Sequence, residues 1–307
     1  MNIASIDIGT NTILLLIAQI DLKKKTLTPL REEIRMPRIG KDLYTTGKIS
    51  EDKIQELENI LLDYKTIITS SNCSECFVIG TYALRNASNK LEIKERIYKS
   101  TGLSLEIVPS DSEAEYAFYG VRSSLKINET FAILDVGGGS TEIIVCKSDV
   151  ILEKKSIPIG VVTLKDQLIS KYPISEIERR KLKNKIKDEF GSVNLNYLAP
   201  KSIVGISGTP TTFAAIRNKL QIFEPEKIDN SLISKLEIAG ITEFLGNSSI
   251  GEIKNSFGEI ISKREDILYI GGKILLYIMD YFSLPNVIIS TKGIRHGVIY
   301  KKMFIDK

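Results

Sequence analysis

One short motif occurs twice in this chain, and this internal repeat constrains the fold more strongly than any bulk property. The segment SIDIGTNTILLLIA (residues 5–18) resembles ILDVGGGSTEIIVC (residues 133–146), so that Asp7 corresponds to Asp135. Each copy has the pattern of a strand that ends in an aspartate, a turn that contains glycine, and a returning strand. A motif repeated at the start of two halves of a chain predicts two similar lobes, and we expect them to face each other across a cleft.

Strand-like and helix-like segments alternate along both halves, which predicts the α/β fold class. In the second half the pattern predicts helices over residues 232–244 and 264–282 and a terminal helix from Gly293 to Phe304. We assign residues 1–120 to a first domain, which the C-terminal helix of about residues 294–307 completes. Residues 121–293 form the second domain.

Composition excludes several classes of protein. Of the 307 residues, 43% are hydrophobic and 26% are charged, which is ordinary for a water-soluble protein. The net charge of +4 does not require nucleic acid and suits a polyanionic ligand. Three cysteines are typical of a reducing compartment. Neither a signal-peptide pattern nor an apolar run long enough to cross a membrane is present. We therefore expect a cytoplasmic protein with no nucleic-acid or membrane partner.

The second copy of the repeat, DVGGGSTE, is the strongest chemical signal in the sequence. Consecutive glycines allow the backbone to approach a ligand closely, and their N–H groups can form a nest for an anion. Two acids, Asp135 and Glu142, flank the loop and offer oxygen ligands for Mg²⁺. The alternative is a glycine-rich hairpin that serves only the turn. The predicted phosphate ligands of this loop are Gly137, Gly138, Gly139, Ser140 and Thr141.

Two weaker segments have the same character. The first copy of the repeat, DIGTNT, has one glycine and small polar residues, which an ordinary turn would also explain. The segment GISGTPTT follows a strand and precedes a helix, where backbone N–H groups favour anions. Its alternative is a common strand-to-helix turn. The phosphate ligands predicted from these two segments are Asp7, Thr10, Asn11, Thr12, Gly208 and Thr209.

Taken together, these motifs resemble the exopolyphosphatase/guanosine pentaphosphate phosphatase (PPX/GppA) family of the actin-like superfamily. The resemblance implies two actin-like (RNase H-like) lobes of the short family type, and it makes a homodimer an expectation. The segments that carry it, in the family's order, are SIDIGTNT, RIGKDL, GTYALRNASN, SEAEYAFYGV, DVGGGSTE, GISGTPTTFAA, REDI and STKGIRHGV.

The resemblance also assigns roles to single residues. Glu113 matches the family's catalytic glutamate, which activates the attacking water. Arg85, in ALRNA, matches an arginine that holds substrate phosphate, a role that suits its forked donors. Without the resemblance, Glu113 would be read as a solvated acid and Arg85 as part of a surface salt bridge. Arg264 and Arg295 match positions near the substrate groove.

This chain departs from the family pattern at four positions. Leu14 stands where the family has a basic residue, and Glu115 stands where it has an arginine. Ser207 replaces a glycine in the third loop. His296 replaces a carboxylate, because the family's GLREG is GIRHG in this chain. These departures bear on substrate preference, since none of them removes Glu113 or the glycine loop.

The expected function is hydrolysis of a phosphoanhydride bond. The expected substrates are inorganic polyphosphate or guanosine pentaphosphate (pppGpp) of the stringent response, with Mg²⁺ as the cofactor and direct attack by water. One alternative is a regulator that binds guanosine penta- or tetraphosphate without hydrolysing it. A kinase of the same superfamily is a second alternative, but no adenosine pocket or sugar-binding acid is recognisable in the sequence.

Overall fold

The computed structural model describes residues 1–306. The chain divides into two compact units, the first formed by residues 1–124 together with 292–306, and the second by residues 125–291. No helix within residues 1–306 has the length and apolar character needed to cross a membrane.

The first unit contains five strands and six α-helices in its described residues. Its strands are β1 (Asn2–Ile8), β2 (Ile13–Asp21), β3 (Thr26–Arg35), β4 (Cys73–Gly80) and β5 (Leu105–Ile107). Its helices are α1 (Leu43–Thr46), α2 (Glu51–Ser70), α3 (Tyr82–Asn86), α4 (Lys90–Thr101), α5 (Ser110–Arg122) and α12 (Ile294–Phe304).

The second unit contains six strands and six α-helices, all within its described residues. Its strands are β6 (Thr130–Val136), β7 (Thr141–Lys147), β8 (Val150–Ile157), β9 (Ser202–Ile206), β10 (Leu232–Ser234) and β11 (Asn286–Ile289). Its helices are α6 (Val161–Leu168), α7 (Glu176–Phe190), α8 (Gly208–Arg217), α9 (Lys235–Asn247), α10 (Ile250–Phe257) and α11 (Leu268–Tyr281).

The two sheets repeat one topology. The strand order is β3-β2-β1-β4-β5 in the first unit and β8-β7-β6-β9-β11-β10 in the second. In both, three antiparallel strands connected in sequence lead into a parallel region, β1 with β4 and β6 with β9. The repeat seen in the sequence is therefore a repeat of structure, and the predicted α/β fold class with two similar units is confirmed.

Both faces of the first sheet are covered, which explains why its central strands are almost continuously apolar. One face packs on the helices between β3 and β5, through residues such as Ile6, Leu15 and Tyr64. The other face packs on α12 through Leu16 and Met303. The C-terminal helix is thus part of the first unit's core.

Helix α12 also lies unusually close to α5. A Cβ added at Gly297 of α12 would lie 1.6 Å from the carbonyl oxygen of Tyr116 on α5. A Cβ added at Gly120 of α5 would lie 2.3 Å from the oxygen of Gly293. Glycine at both positions allows the two helix backbones to touch, so α12 fixes the position of α5.

Two of the predicted elements differ from the structure. The segment predicted as a helix over residues 232–244 begins as the short strand β10, and Ser234 then caps α9 by accepting a hydrogen bond from the backbone N–H of Glu237. The helix predicted from Arg264 starts only at Leu268. Ser234 and Glu237 form a capping box, which is the local signal that marks the true start of α9.

Candidate functional site

The first copy of the repeat forms the hairpin between β1 and β2. The turn is closed by the backbone N–H of Gly9, which donates to the carbonyl oxygen of Thr12 at 2.9 Å. Asp7 is buried at the end of β1 and lies opposite Leu14 across the hairpin. Thr10 and Asn11 are buried in the turn. The aspartate of this hairpin therefore faces an apolar residue on the neighbouring strand.

A short segment after β3 covers this hairpin. The backbone N–H of Arg38 donates to the oxygen of Asn11 at 3.1 Å, and that of Gly40 donates to the oxygen of Thr10 at 3.0 Å. A Cβ added at Gly40 would lie 2.2 Å from the Thr10 methyl carbon. The segment therefore holds the turn of the first hairpin in place through close contact.

Arg85 and Glu113 form an ion pair in the same unit. Arg85 Nη1 donates to Glu113 Oε2 at 2.9 Å and to the carbonyl oxygen of Val108 at 2.8 Å. Arg85 lies on α3, which follows β4, and Glu113 lies on α5, which follows β5. Because β1, β4 and β5 are parallel, these helices start at the same sheet edge as the first hairpin. α/β proteins bind ligands at the carboxyl ends of their parallel strands, where polar groups such as these lie.

The geometry of this pair suits chemistry on an anion. Glu113 is 6% exposed and lies in the first turn of α5. Both hydrogen bonds that the Arg85 side chain donates within residues 1–306 use Nη1. Its Nε and Nη2 donors are consequently available to an external oxygen. The predicted base and the predicted phosphate ligand thus lie side by side.

Arg295 lies elsewhere in the first unit. It belongs to the first turn of α12, is 8% exposed, and donates through Nη2 to Glu32 of β3. The neighbouring His296 is fully buried. Burial, together with the nearby charge of Arg295, lowers the pKa of His296 to about 4, so the imidazole is neutral at pH 7.

The second copy of the repeat forms the hairpin between β6 and β7. Its turn is closed by the N–H of Gly137, which donates to the oxygen of Ser140 at 3.0 Å. Asp135 and Glu142 are opposite each other across the hairpin, and both are buried. The hydroxyl of Thr141 donates to the oxygen of Ile159 at 2.7 Å, so its side chain supports the hairpin from within.

A glycine at the start of α6 lies directly against this glycine loop. A Cβ added at Gly160 would lie 2.3 Å from the carbonyl carbon of Gly138 and 2.3 Å from the nitrogen of Gly139. The N–H groups of Val161 and Val162 donate to the oxygens of Gly137 and Gly138. These bonds occupy the carbonyl oxygens of Gly137 and Gly138 and hold the loop against the start of α6.

Asp135 has one unusual neighbour. Ser207 Oγ donates to Asp135 Oδ1 at 2.5 Å. Burial raises the pKa of Asp135 to about 6, and the hydrogen bond from Ser207 opposes that rise. Ser207 has φ 69° and ψ −169°, a conformation that is almost exclusive to glycine and strained for any other residue. The serine that replaces the family's glycine therefore holds a strained backbone while it bonds the acid.

The acid pair fits a hard divalent cation. Residues opposite each other on antiparallel strands share a face, with Cβ atoms about 5 Å apart. Glu142 Oε1 accepts a hydrogen bond from Ser156 Oγ at 2.8 Å, which orients the carboxylate. Within residues 1–306 no group of three or more His, Cys, Asp or Glu side chains is placed to hold a metal ion. Two carboxylates still fit Mg²⁺, because this ion commonly keeps waters and takes other ligands from phosphate.

Arg264 lies against the third predicted loop. Its Nη1 donates to the oxygen of Gly208 at 2.8 Å and also bonds Thr212 Oγ1. Burial lowers the pKa of Arg264 to about 10, so the guanidinium is still charged at pH 7. It forms no ion pair with any of residues 1–306. A cation without a carboxylate partner at the N-terminus of α8 favours an anionic ligand there.

Residues 16–304 match the profile of the Ppx/GppA phosphatase family. The chain belongs to this family.

Two solved structures of the family type are similar over nearly the whole chain. The Ppx/GppA family member of Aquifex aeolicus has a TM-score of 0.83 at 29% identity, with 98% of this chain and 97% of that chain covered. An exopolyphosphatase from Cytophaga hutchinsonii has a TM-score of 0.90 at 27% identity, with 99% and 98% covered.

Two curated proteins show similar identity. Exopolyphosphatase 2 of Mycobacterium tuberculosis is 27% identical over 255 residues, which is 79% of each protein. A bifunctional 3-dehydroquinate synthase/phosphatase of Fusobacterium nucleatum is 30% identical over 311 residues. That match covers 96% of this chain and 46% of the relative, so this chain spans less than half of the longer protein.

The structure brings the predicted residues together in three groups. The first unit holds the Arg85–Glu113 ion pair at the sheet edge of the first hairpin, and Arg295 in a separate contact with Glu32. The second unit holds the Asp135–Glu142 pair with the glycine loop. In that unit Gly208 and Thr209 adjoin this loop, since Thr209 Oγ1 lies 3.4 Å from the oxygen of Val136.

Three supporting residues were missed by the sequence reasoning. Ser156 orients Glu142, Gly160 abuts the glycine loop, and Glu32 pairs with Arg295. For Ser156 the signal was available, because it is opposite Glu142 when β8 is aligned with β7. Glu32 had no such signal, since only the folded chain brings β3 against α12.

Proposed function

We propose that the protein is a phosphohydrolase that releases terminal phosphate from inorganic polyphosphate. The observation that carries the proposal is the Arg85–Glu113 pair, in which a buried carboxylate lies 2.9 Å from a guanidinium with two available donors. Membership of the Ppx/GppA phosphatase family supports it. So do the similar proteins that are named exopolyphosphatases.

The proposed reaction is a direct displacement. The oxygen of a water molecule attacks the terminal phosphorus while the bond from that phosphorus to the bridging oxygen breaks. Glu113 accepts the proton that the water loses, which is the role of a general base. The products are orthophosphate and a chain one phosphate shorter. No covalent intermediate with the protein is formed.

In the first unit, Arg85 would balance the charge of the transferred group by donating from Nε and Nη2 to its oxygens. In the second unit, the N–H groups of the glycine loop would bind phosphate oxygens. Asp135 and Glu142 would hold Mg²⁺, which when bound neutralises negative charge on phosphate oxygens. Positioning and electrostatic stabilisation carry most of the catalysis in phosphoryl transfer.

The second candidate is a regulator that binds guanosine penta- or tetraphosphate without hydrolysing it. It is motivated by Leu14, which leaves the first hairpin without the family's cation, and by Glu113, whose carboxylate is held by Arg85. Guanosine pentaphosphate hydrolysis is the alternative reaction at the same site. Both alternatives are distinguished from polyphosphate hydrolysis by testing the two substrates side by side.

The test follows free phosphate from long-chain polyphosphate and from guanosine pentaphosphate, each with Mg²⁺. Wild type is compared with Glu113→Gln and with the control Glu106→Gln, an exposed acid on β5. Phosphate release from polyphosphate that falls at least about 100-fold in Glu113→Gln and not in the control supports the proposal. No release from either substrate by folded wild type contradicts it. Binding of the guanosine nucleotides without release would favour the regulator.

A further inference from the structure

Two cysteines of the first unit are not used by the proposed reaction. Cys73 is the first residue of β4, and Cys76 lies three residues further along the same strand. Both are partly exposed, whereas the third cysteine, Cys146 of β7, is fully buried. In a regular strand, residues three apart point to opposite faces of the sheet. The spacing in the sequence therefore predicts that the two thiols are separated by the sheet.

An irregularity in the pairing of β4 with β1 brings them to the same face. Asn2 of β1 is paired with Cys73. Ala4, two residues further along β1, is paired with Cys76. Three steps along β4 thus match two steps along β1, which is the arrangement of a β-bulge with Ser74 as the extra residue. Because Asn2 and Ala4 lie on one face of the sheet, the two cysteines do so as well.

Side-chain packing agrees with this register. Cys73 and Cys76 both pack against the buried cluster that the sheet forms with α2 and α4. Glu75, which lies between them in the sequence, is paired with Ile3, and Ile3 packs with α12 on the opposite face. Burial, and after it the charge of Cys73, raises the pKa of Cys76 to about 12. The two thiols are therefore near enough to act on each other.

The separation of the two cysteines suits a bridging ion better than a disulfide. Two residues of a strand span about 6.6 Å, and side chains on one face are separated by about the same distance. A disulfide needs Cβ atoms about 3.8 Å apart, joined through a sulfur–sulfur bond of about 2.05 Å. One ion between the sulfurs, with two bonds of about 2.3 Å in line, lengthens that link to about 4.6 Å. This increase nearly equals the excess separation, so an ion fits without movement of the backbone.

The number and type of ligands indicate the kind of ion. Within residues 1–306 no group of three or more His, Cys, Asp or Glu side chains is placed to hold a metal ion. A structural zinc site needs about four ligands, so a pair of thiols does not suit zinc. Thiolates select soft ions such as Cu(I), for which two ligands in line form a complete coordination shell. Lys65 of α2 opposes the rise in the pKa of Cys76, so its positive charge lies near this thiol.

We infer that Cys73 and Cys76 together bind one Cu(I) ion, with one sulfur ligand from each. The ion replaces the two thiol protons, which pass to the solvent, and the complex keeps a single negative charge that Lys65 offsets. The site lies at the start of β4, whereas Arg85 follows the end of this strand. The inference is therefore independent of the proposed function.

The experiment is an anaerobic titration of the reduced, full-length protein with Cu(I), in competition with a coloured Cu(I) chelator. Wild type is compared with Cys73→Ser, Cys76→Ser and the control Cys146→Ala. Wild type is expected to bind one ion per chain. Each serine variant is expected to bind at least about 100-fold more weakly, because it loses the gain in effective concentration from the second thiol. The control is expected to stay within about 2-fold of wild type.

A double variant tests whether the shared face matters. Glu75→Cys combined with Cys76→Ser keeps two thiols next to the bulge but places them on opposite faces of the sheet. It is expected to bind Cu(I) as weakly as Cys76→Ser alone. Tight binding by this double variant, unchanged binding in either serine variant, or one ion per two chains would overturn the inference. If Cys76→Ser does not fold, Cys73→Ser decides the outcome, together with thermal unfolding of wild type, which one bound ion is expected to raise.

Discussion

The two hairpins of the repeat have nearly the same backbone and different chemistry. The turn of each is closed by one hydrogen bond from a glycine N–H, Gly9 to Thr12 at 2.9 Å and Gly137 to Ser140 at 3.0 Å. Across the strands, Asp7 faces Leu14 in the first hairpin, whereas Asp135 faces Glu142 in the second. The first hairpin thus offers one carboxylate on this face and the second offers two.

We expect this difference to divide the chemistry between the units. A pair of carboxylates suits a divalent cation, whereas a single carboxylate beside a leucine does not. The first unit instead carries the Arg85–Glu113 pair at its sheet edge. We therefore propose that the second hairpin binds the cation and that the first unit supplies the base, although the two hairpins share one structural pattern.

The largest expected effect comes from removing the second carboxylate of the pair. Glu142→Gln is expected to lower kcat/KM for polyphosphate about 1,000-fold, because the cation's charge stabilisation is worth several kcal/mol. The equivalent change in the first hairpin, Leu14→Ala, is expected to change it less than about 3-fold. Steady-state phosphate release with Mg²⁺ measures both. Equal losses in the two variants would show that the hairpins are not specialised.

The second prediction concerns two buried titratable groups, one in each unit. Their contributions to folding stability change with pH in opposite directions. His296 has a pKa of about 4 in the folded first unit against 6.5 when unfolded. Between these values the unfolded chain binds the extra proton, so this contribution to stability rises with pH from 4 to 6.5 and is complete above 6.5. Glu32, Arg295 and Lys292 are the charged groups that act on His296. Asp135 in the second unit is shifted upward, so its contribution declines as pH rises through about 6.

The measurement is urea unfolding of wild type and His296→Asn at pH 4.5 and 7. The advantage of wild type over the variant is expected to grow with pH, by at most about 3 kcal/mol over the full window. A constant difference at both pH values would mean that His296 is not held neutral by the fold.

A third prediction compares the glycines that support the two turns. Gly160 faces the backbone of the glycine loop, whereas Gly40 faces the methyl group of Thr10. A backbone cannot move aside as a side chain can, so Gly160→Ala is expected to cost about 2 kcal/mol of stability and Gly40→Ala less than about 1 kcal/mol. Thermal unfolding and phosphate release of both variants check this order. The reverse order would mean that the first turn is the more rigid one.

The smallest effect concerns Ser207, whose position in the repeat matches Gly80 of the first unit. Asp135 is opposite Ile206 and Asp7 is opposite Ile79, so Ser207 and Gly80 are the next residues of matched strands. Glycine adopts this φ without strain, so Ser207→Gly relieves the backbone strain, whereas Ser207→Ala retains it. Both variants lose the hydroxyl. The glycine variant is expected to be about 1 kcal/mol more stable than the alanine variant by thermal unfolding. Equal stability would mean that the backbone at residue 207 is not strained.

The sequence was most informative where a local pattern determines the structure. The repeat predicted both hairpins, because strand alternation and turn glycines are local signals. The Arg85–Glu113 contact was not predictable from spacing, since it requires β4 and β5 to be adjacent. The start of α9 was placed too early because residues 232–234 pair with β11, a tertiary contact that the apolar pattern cannot distinguish from a helix. The strain at Ser207 likewise depends on where β9 ends.

The most direct test of the central claim is calorimetric binding of Mn²⁺, as a probe for Mg²⁺, in the presence of tripolyphosphate. Wild type, Glu142→Gln and Asp7→Asn are compared, so that one carboxylate is removed from each hairpin in turn. We expect Glu142→Gln to weaken Mn²⁺ binding at least about 10-fold and Asp7→Asn to change it less than about 3-fold. Binding that is lost in Asp7→Asn and retained in Glu142→Gln would contradict the assignment of the cation to the second hairpin.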